Sequence, residues 1–394
     1  MKYYTFLTLL VFITFNVFAQ KASKYIVHEG LIFPYQSEHV HGSSIVLLPN
    51  GDKLSTWFQG SGERNADDVR IMGSRMKKGS ESWTPPFLMA DTKAMPDCNP
   101  VLFMNSKNKL FLVWIAVQAN RWEYSILKFR TSTNYNTEGA PEWDWQDNIL
   151  LKPDDSFAKE VEMKFIDLPP NHAGWAEYAP SYDNMIKEAS KDKWKRSIGW
   201  MTRIKPLILK NGRILLPLYS DGLNMSLVAI SDDDGETWIP SLPIVGRGPI
   251  QPALAQKKNG EIVAFMRDSG NPPSRVHKSI SKDQGESWSA TTKIDIPNTA
   301  SVELIKMKDG KFAFFGNDIV DGRYRLSLYI SDDEGETWNW KVQIEDDPTR
   351  AGSFSYPCLV QDKKGLLHII YSYRTGESQK SIKYVVVDPK QILK

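Results

Sequence analysis

The sequence predicts an all-β fold, a six-bladed β-propeller with one insertion between blades two and three. Three observations carry this: a polar turn phrase that recurs at a fixed step, a hairpin signal ahead of each copy, and a strand near the N-terminus with no partner of its own. The phrase reads AISDDDGETWIP from Ala229, SISKDQGESWSA from Ser279 and YISDDEGETWNW from Tyr329. Its serines, Ser231, Ser281 and Ser331, are 50 residues apart, and a degraded copy, SRMKKGSESW, begins at Ser74. A fixed period of this size marks a repeat architecture.

Each copy follows two strand-like runs, as in LILKNGRILLPLYSDG then SLVAIS, or VELIKMKDGKFAFFGND then RLSLYIS. Asn-Gly or Asp-Gly joins the first two runs, the strongest short hairpin signal, so every repeat is a small antiparallel meander. Within the phrase the serine ends a strand, the aspartate accepts backbone N–H groups across the turn, and glycine supplies a positive φ. Asp233, Asp283, Asp333, Trp238, Trp288 and Trp338 are therefore expected to be structural.

Three further units lack a clean phrase: SSIVLLPNGDKLSTWFQG with VRIMGSR, PVLFMNSKNKLFLVWIA with EYSILKFRTST, and PCLVQDKKGLLHIIYSY with SIKYVVVD. They bring the count to six. The last unit has three strands, and KYIVHEGLIF before the first unit is a strand without a home. Pairing the two closes the ring and removes exposed edges. The spacing of inner strands breaks once, which places the insertion at about 146–200. It contains AEYAPSYDNMIKEASKDKWKR, helical in part and rich in aromatics.

The first residues, MKYYTFLTLLVFITFNVFAQ, have the lysine, short apolar run and small residues of a cleaved export signal over 1–19. The run is shorter than the roughly 20 residues of a membrane span. The expectation is a secreted or periplasmic monomer with a single propeller domain over 20–394. With 41% hydrophobic and 24% charged residues the chain can bury a large core. A net charge of +2 with mixed signs offers no nucleic-acid stripe and no polybasic membrane patch. Cys98 and Cys358 make no disulfide framework and are expected as buried thiols. The six histidines show no metal-ligand spacing, and no cofactor loop is present, so neither metal nor cofactor is expected.

In a propeller the innermost strand of each blade lines the axial channel. The six starts, HVHGSS, CNPVLF, IKPLIL, IQPALA, NTASVEL and SYPCLV, share a polar residue, often followed by proline. His41, Asn99, Lys205, Gln251, Ser301 and Tyr356 are expected to converge near the axis as a site. Trp57, Trp122, Trp175, Tyr178 and Tyr182 are candidate sugar-stacking walls, each also a candidate core residue.

The repeated phrase is the Asp box, and with this strand plan the mature chain resembles the sialidase (neuraminidase) superfamily, in particular its bacterial sialidase-like branch. The resemblance implies a glycan substrate and a mechanism with an arginine triad, an aspartate acid/base and a tyrosine nucleophile assisted by a glutamate. Matched motif by motif, SYPCLV makes Tyr356 the nucleophile candidate. GERNADD before VRIMGSR makes Asp68 the acid/base candidate, with Asp67 and Glu63 as competitors. GEIVAFMRDSG makes Arg267 a triad candidate, YRLSLYIS offers Arg325, and YSYRTG offers Arg374 in the pocket or on its rim.

Two positions depart from the pattern. His41 stands at the start where the family has its first arginine, and Gln251 in GPIQPAL stands where the assisting glutamate belongs. A neutral amide cannot act as a general base. Three readings follow: an exo-acting hydrolase removing a terminal acidic sugar clamped by Arg267 and Arg325, a lyase or related glycan enzyme using His41 and Tyr356, and a non-catalytic glycan-binding propeller. Fold alone does not separate them.

Overall fold

The computed structural model describes residues 24–169 and 181–393. The export signal, Trp175 and Tyr178 lie outside the described residues. Six four- or five-stranded antiparallel sheets follow one another around an axis: blade one over 39–90, two over 97–148, three over 201–240, four over 249–297, five over 302–346 and six over 353–387. Blade six takes its outermost strand from Ile26–Leu31, which pairs antiparallel with Gln379–Val387 and closes the ring. Among the described residues no helix is long and apolar enough to cross a membrane.

The strands alternate in a way that buries both faces, so the core lies between blades rather than within one. Phe111 of blade two clusters with Leu216 and Leu227 of blade three, and Phe265 of blade four packs with Phe314 of blade five. The Asp boxes tie this packing together. In blade five the Ser331 hydroxyl donates to Asp333 (2.7 Å) and accepts from the Gly335 amide (2.8 Å), while the Thr337 amide donates to Asp333 (2.8 Å). Blades three and four repeat the pattern through Asp233 and Asp283. Each turn then rests on the preceding blade: Gly235 against Phe111, Gly285 against Leu215, Gly335 against Phe265. Gly335 has φ +87° and a Cβ there would stand 3.0 Å from Phe265 Cζ, so both backbone and space demand glycine.

Between blades two and three the chain forms two helices, Asp155–Ile166 and Tyr182–Lys191, capped by Asp154 and Ser181. The second docks on the propeller through Asp183, paired with Arg247 at 2.7 Å, and through Tyr182, whose hydroxyl accepts from Asn224 (3.0 Å). Trp57 is fully buried and stacks on Phe33 with centroids 4.7 Å apart. It is a core residue, which corrects its expected place in a sugar-stacking wall.

Burial alone raises the Asp333 pKa, but the hydrogen bonds from Thr337 and Ser331 outweigh it and hold it at about 2. The carboxylate form is the one that locks the turn, so its stabilisation is present above the ordinary value near 4 and is lost as pH falls toward 2. Asp333→Ala is expected to lower stability by roughly 0.5–1.5 kcal/mol at neutral pH, the net worth of solvent-screened hydrogen bonds, read as a lower urea midpoint with an unchanged slope. An unchanged midpoint overturns the structural role of the box.

Candidate active site

The site is built from one backbone device. Counting back nine residues from the left-handed residue of each first hairpin (Gly51, Asn108, Gly212, Gly260, Gly310, Gly365) reaches Gly42, Asn99, Arg203, Gln251, Ser301 and Tyr356. Four of these positions, Gly42, Asn99, Gln251 and Tyr356, themselves have φ between +50° and +66° and sit at register shifts of the inner strand. This is a bulge with its first residue in the left-handed region, and it turns the side chain into the axial mouth. Pro follows Asn99, Gln251 and Tyr356, where no ladder N–H is needed.

The count corrects two expectations. Gly42, not His41, is the blade-one member of the ring, and a Cβ on Gly42 would stand 2.7 Å from the Phe58 ring. In blade three the member is Arg203, not Lys205. Lys205 is buried deeper along the axis, where it donates to the Leu359 carbonyl (2.6 Å) and pairs with Glu303 (3.5 Å), away from the cavity lining.

A cavity of about 520 Å³ opens at this mouth. Tyr356 forms its floor with Gln251 and Asn99, and Arg267, Arg323, Glu63 and Asp221 line its walls, with Trp122 beside them. The Tyr356 hydroxyl accepts from Arg267 Nη1 (3.3 Å) and Gln251 Nε2 (3.5 Å). Arg203 and Arg323 lie over its ring at 4.8 and 5.1 Å, and the His41 ring packs on it at 3.9 Å. Burial pushes the phenol pKa up, but Arg267, Arg323 and the Gln251 amide outweigh this, and the net shift is downward. Gln251 Oε1 and Arg267 Nε are buried without a hydrogen-bond partner in the protein, so the cavity presents unspent polar atoms beside the phenol.

Two acids face this cationic floor. The Glu63 pKa is raised, chiefly by burial, and that of Asp221 is raised for the same reason. Glu63 comes from the blade-one loop. Asp68 folds that loop by accepting from the Ser61 amide and hydroxyl (3.1 and 2.9 Å), and Asp67 by accepting from Asn120 (2.9 Å). Both aspartates are exposed and absent from the cavity lining, so the loop's acid in the cavity is Glu63, a correction to the preference for Asp68.

Arg325 is likewise displaced: it pairs with Asp318 (2.9 Å), and Arg323, two residues earlier, reaches the cavity instead. Arg374 lies at an adjoining cavity with His41. Burial first, then Arg323, His39 and Arg203, pull the His41 pKa well below its ordinary value. Its Nδ1 is 2.7 Å from the Ser372 hydroxyl and its Nε2 faces Arg323 at 3.5 Å. Tyr182 is held at the rim by Asn224. Arg203, Arg323 and Asp221 escaped the sequence reading, and the nine-residue count from the hairpin turn would have found Arg203. Cys98 and Cys358 are buried free thiols.

Six blades, Asp-box turns and a polar axial cavity floored by a tyrosine among arginines define a sialidase-like propeller. The chain belongs to the BNR repeat-like domain family, whose model matches residues 51–161 and 174–369. Solved structures agree on the fold. A protein of unknown function from Dyadobacter fermentans aligns over 92% of this chain and 98% of its own with a TM-score of 0.67 and 16% identity. The intramolecular trans-sialidase from Ruminococcus gnavus, in complex with oseltamivir carboxylate, aligns over 94% and 99% at TM-score 0.66 and 12% identity. The Hadza microbial sialidase Hz136 aligns over 91% of this chain and 69% of its own at TM-score 0.64 and 16% identity. At these identities the likeness is one of fold. The search of curated proteins finds no match.

The electrostatics of Tyr356 are open to direct titration. Tyrosinate absorbance of the native protein is expected to include a component that titrates below the ordinary value near 10, missing in Tyr356→Phe and moved upward in Arg267→Ala. If Tyr356→Phe removes only a component above 10, the cationic floor does not act on the phenol as described.

Proposed function

We propose that the protein is an exported glycoside hydrolase that removes a terminal acidic sugar from a glycan. The observation that carries this reading is the Tyr356 hydroxyl held by Arg267 and Gln251 in the same cavity as the raised carboxyl of Glu63. Tyr356 is the nucleophile, Glu63 the acid/base, and Arg267 with Arg323 the clamp for the sugar carboxylate.

The absence of a glutamate at position 251 changes how the phenol is activated. Gln251 cannot take the proton, so the phenolate forms by loss of the proton to solvent, favoured by the two guanidiniums and the Gln251 N–H. Tyr356 Oη then bonds to the anomeric carbon as the glycosidic bond breaks, and Glu63 gives its proton to the departing oxygen. Water, deprotonated by Glu63, attacks the same carbon and releases the sugar and the phenolate, with net retention. Arg267 uses Nη1 on the phenol and leaves Nε without a protein partner, which lets one guanidinium serve both tyrosine and substrate.

The lyase reading draws on His41, whose lowered pKa makes it neutral. Its Nδ1 is engaged by Ser372 and its Nε2 faces Arg323, whereas Glu63 and Asp221 share the large cavity with Tyr356. That arrangement favours hydrolysis. Residues 1–19 as an export leader would bring the enzyme to extracellular or periplasmic glycans.

The test is incubation of the mature protein with a panel of sialosides and uronate-capped oligosaccharides, scoring both released sugar and unsaturated product. Tyr356→Phe is expected to abolish release. Glu63→Gln is expected to lower kcat by about 10²–10⁴ on oligosaccharides and by much less on an aryl glycoside whose leaving group needs no proton. Unsaturated product without a released acid makes the protein a lyase, and a Glu63→Gln variant equally impaired on both substrate types removes Glu63 as the acid.

A further inference from the structure

The reaction above leaves a second cavity unused. It measures about 290 Å³, lies between blades six and one, and shares Glu63, Arg323 and Tyr356 with the larger one. The two are halves of one cleft with the phenol and the acid at its waist. A bond broken at that waist has its terminal sugar in the larger half and its leaving sugar in the smaller.

The smaller half is strongly basic. Arg374, Lys380, Arg323 and His39 line it, with Glu63 at its edge as the acidic side chain in the lining. Arg374 and Lys380 stand directly opposite each other in the register of two neighbouring strands, a like-charge pair that costs free energy in a sheet. Among the described residues neither Arg374 nor Arg323 forms an ion pair: Arg323 reaches the Ser355 hydroxyl and His41, and Lys380 donates to the Ser37 carbonyl at 2.8 Å. His39 adds a buried Nε2 without a partner. Burial, then Lys380 and Arg374, hold its pKa down to about 4, so it is neutral at physiological pH and its ring nitrogens are available for hydrogen bonding rather than charge. An anion placed between Arg374 and Lys380 relieves their repulsion and gains charge-assisted hydrogen bonds from both.

We propose that this half of the cleft is the leaving-group subsite and that it takes a sugar carrying a sulfate or a carboxylate, held by Arg374 and Lys380. The assignment as a leaving-group site rests on the reading of Tyr356 and Glu63 as the reaction centre; the anion site does not. The substrate is then acidic on both sides of the scissile bond, a polyanionic glycan rather than a neutral chain with one acidic cap.

Calorimetric titration of the full-length mature protein with lactose, lactose 6′-sulfate and digalacturonic acid tests this, and the two anionic probes separate sulfate from carboxylate. At least one anionic probe is expected to bind about 10- to 100-fold more tightly than lactose, the range of one charge-assisted hydrogen bond. In the doubly substituted Arg374→Ala, Lys380→Ala protein that advantage is expected to fall to about twofold or less with the melting temperature retained, since both side chains lie on the cavity wall. Equal binding of all three probes, or an advantage that survives the double substitution, overturns the proposal. Binding through Arg374 and Lys380 by a protein that cleaves no glycoside supports the anion site and overturns its role as a leaving-group subsite.

Discussion

The left-handed bulge at the head of the inner strands is the constraint on which the rest of the site depends. A non-glycine residue in this conformation costs on the order of 1–2 kcal/mol, and Asn99, Gln251 and Tyr356 all adopt it. Asparagine tolerates it; glutamine and tyrosine do so because the surrounding sheet over-determines the backbone. The bulge shifts register by one residue, so a side chain that would point into the blade interface points into the axial mouth. Repetition around the ring brings a phenol, an amide and a second amide to one cavity, with Arg203 against the phenol ring. Where blade one has no side chain to offer, Gly42 lets the Phe58 ring close the gap.

Charge at the axis is arranged around the phenol. Arg267 touches its oxygen and Arg203 and Arg323 cover its ring. A carboxylate in place of Gln251 would add negative charge beside the oxygen and would hold the phenol proton at rest. With an amide there, the resting phenol sees net positive charge, which lowers its pKa against the opposing effect of burial. Burial first, and then the same field, keeps His41 neutral, which confines it to hydrogen bonding and to packing on the tyrosine. Deeper along the axis the Lys205–Glu303 pair lies away from the cavity.

Blades, hairpins and the closing strand were legible in the sequence because each depends on local signals: a turn dipeptide, a period of 50, an unpaired strand. Tyr356, Gln251, Asn99 and Arg267 were legible because their motifs carry their positions with them. The misplacements share a cause, since each depends on register or loop path. Lys205 precedes a proline as Gln251 and Tyr356 do, yet blade three interrupts its inner strand between Thr202 and Leu207, and Arg203 takes the ring position. Arg323 and Arg325 differ by one strand period, but Arg323 precedes the strand and turns toward the axis while Arg325 is claimed by Asp318. Nothing in the spacing reveals that Asp318, buried just after the strand Phe312–Gly316, would claim Arg325.

The blade-one loop shows why acids in one short stretch take different parts. Asp68 and Asp67 spend their oxygens on Ser61 and Asn120, and Arg64 lies over the Trp122 ring at 5.7 Å. These contacts tie the loops of blades one and two together and leave Glu63 as the side chain aimed at the cavity. On the far side the insertion performs the same service: Tyr182 binds Asn224, and Asp183 binds Arg247, so its second helix fixes the rim between blades three and four. Both walls are thus held by polar contacts that do not touch the floor. The loops around the mouth can therefore differ without moving a tyrosine whose place is set by the bulge of its own strand.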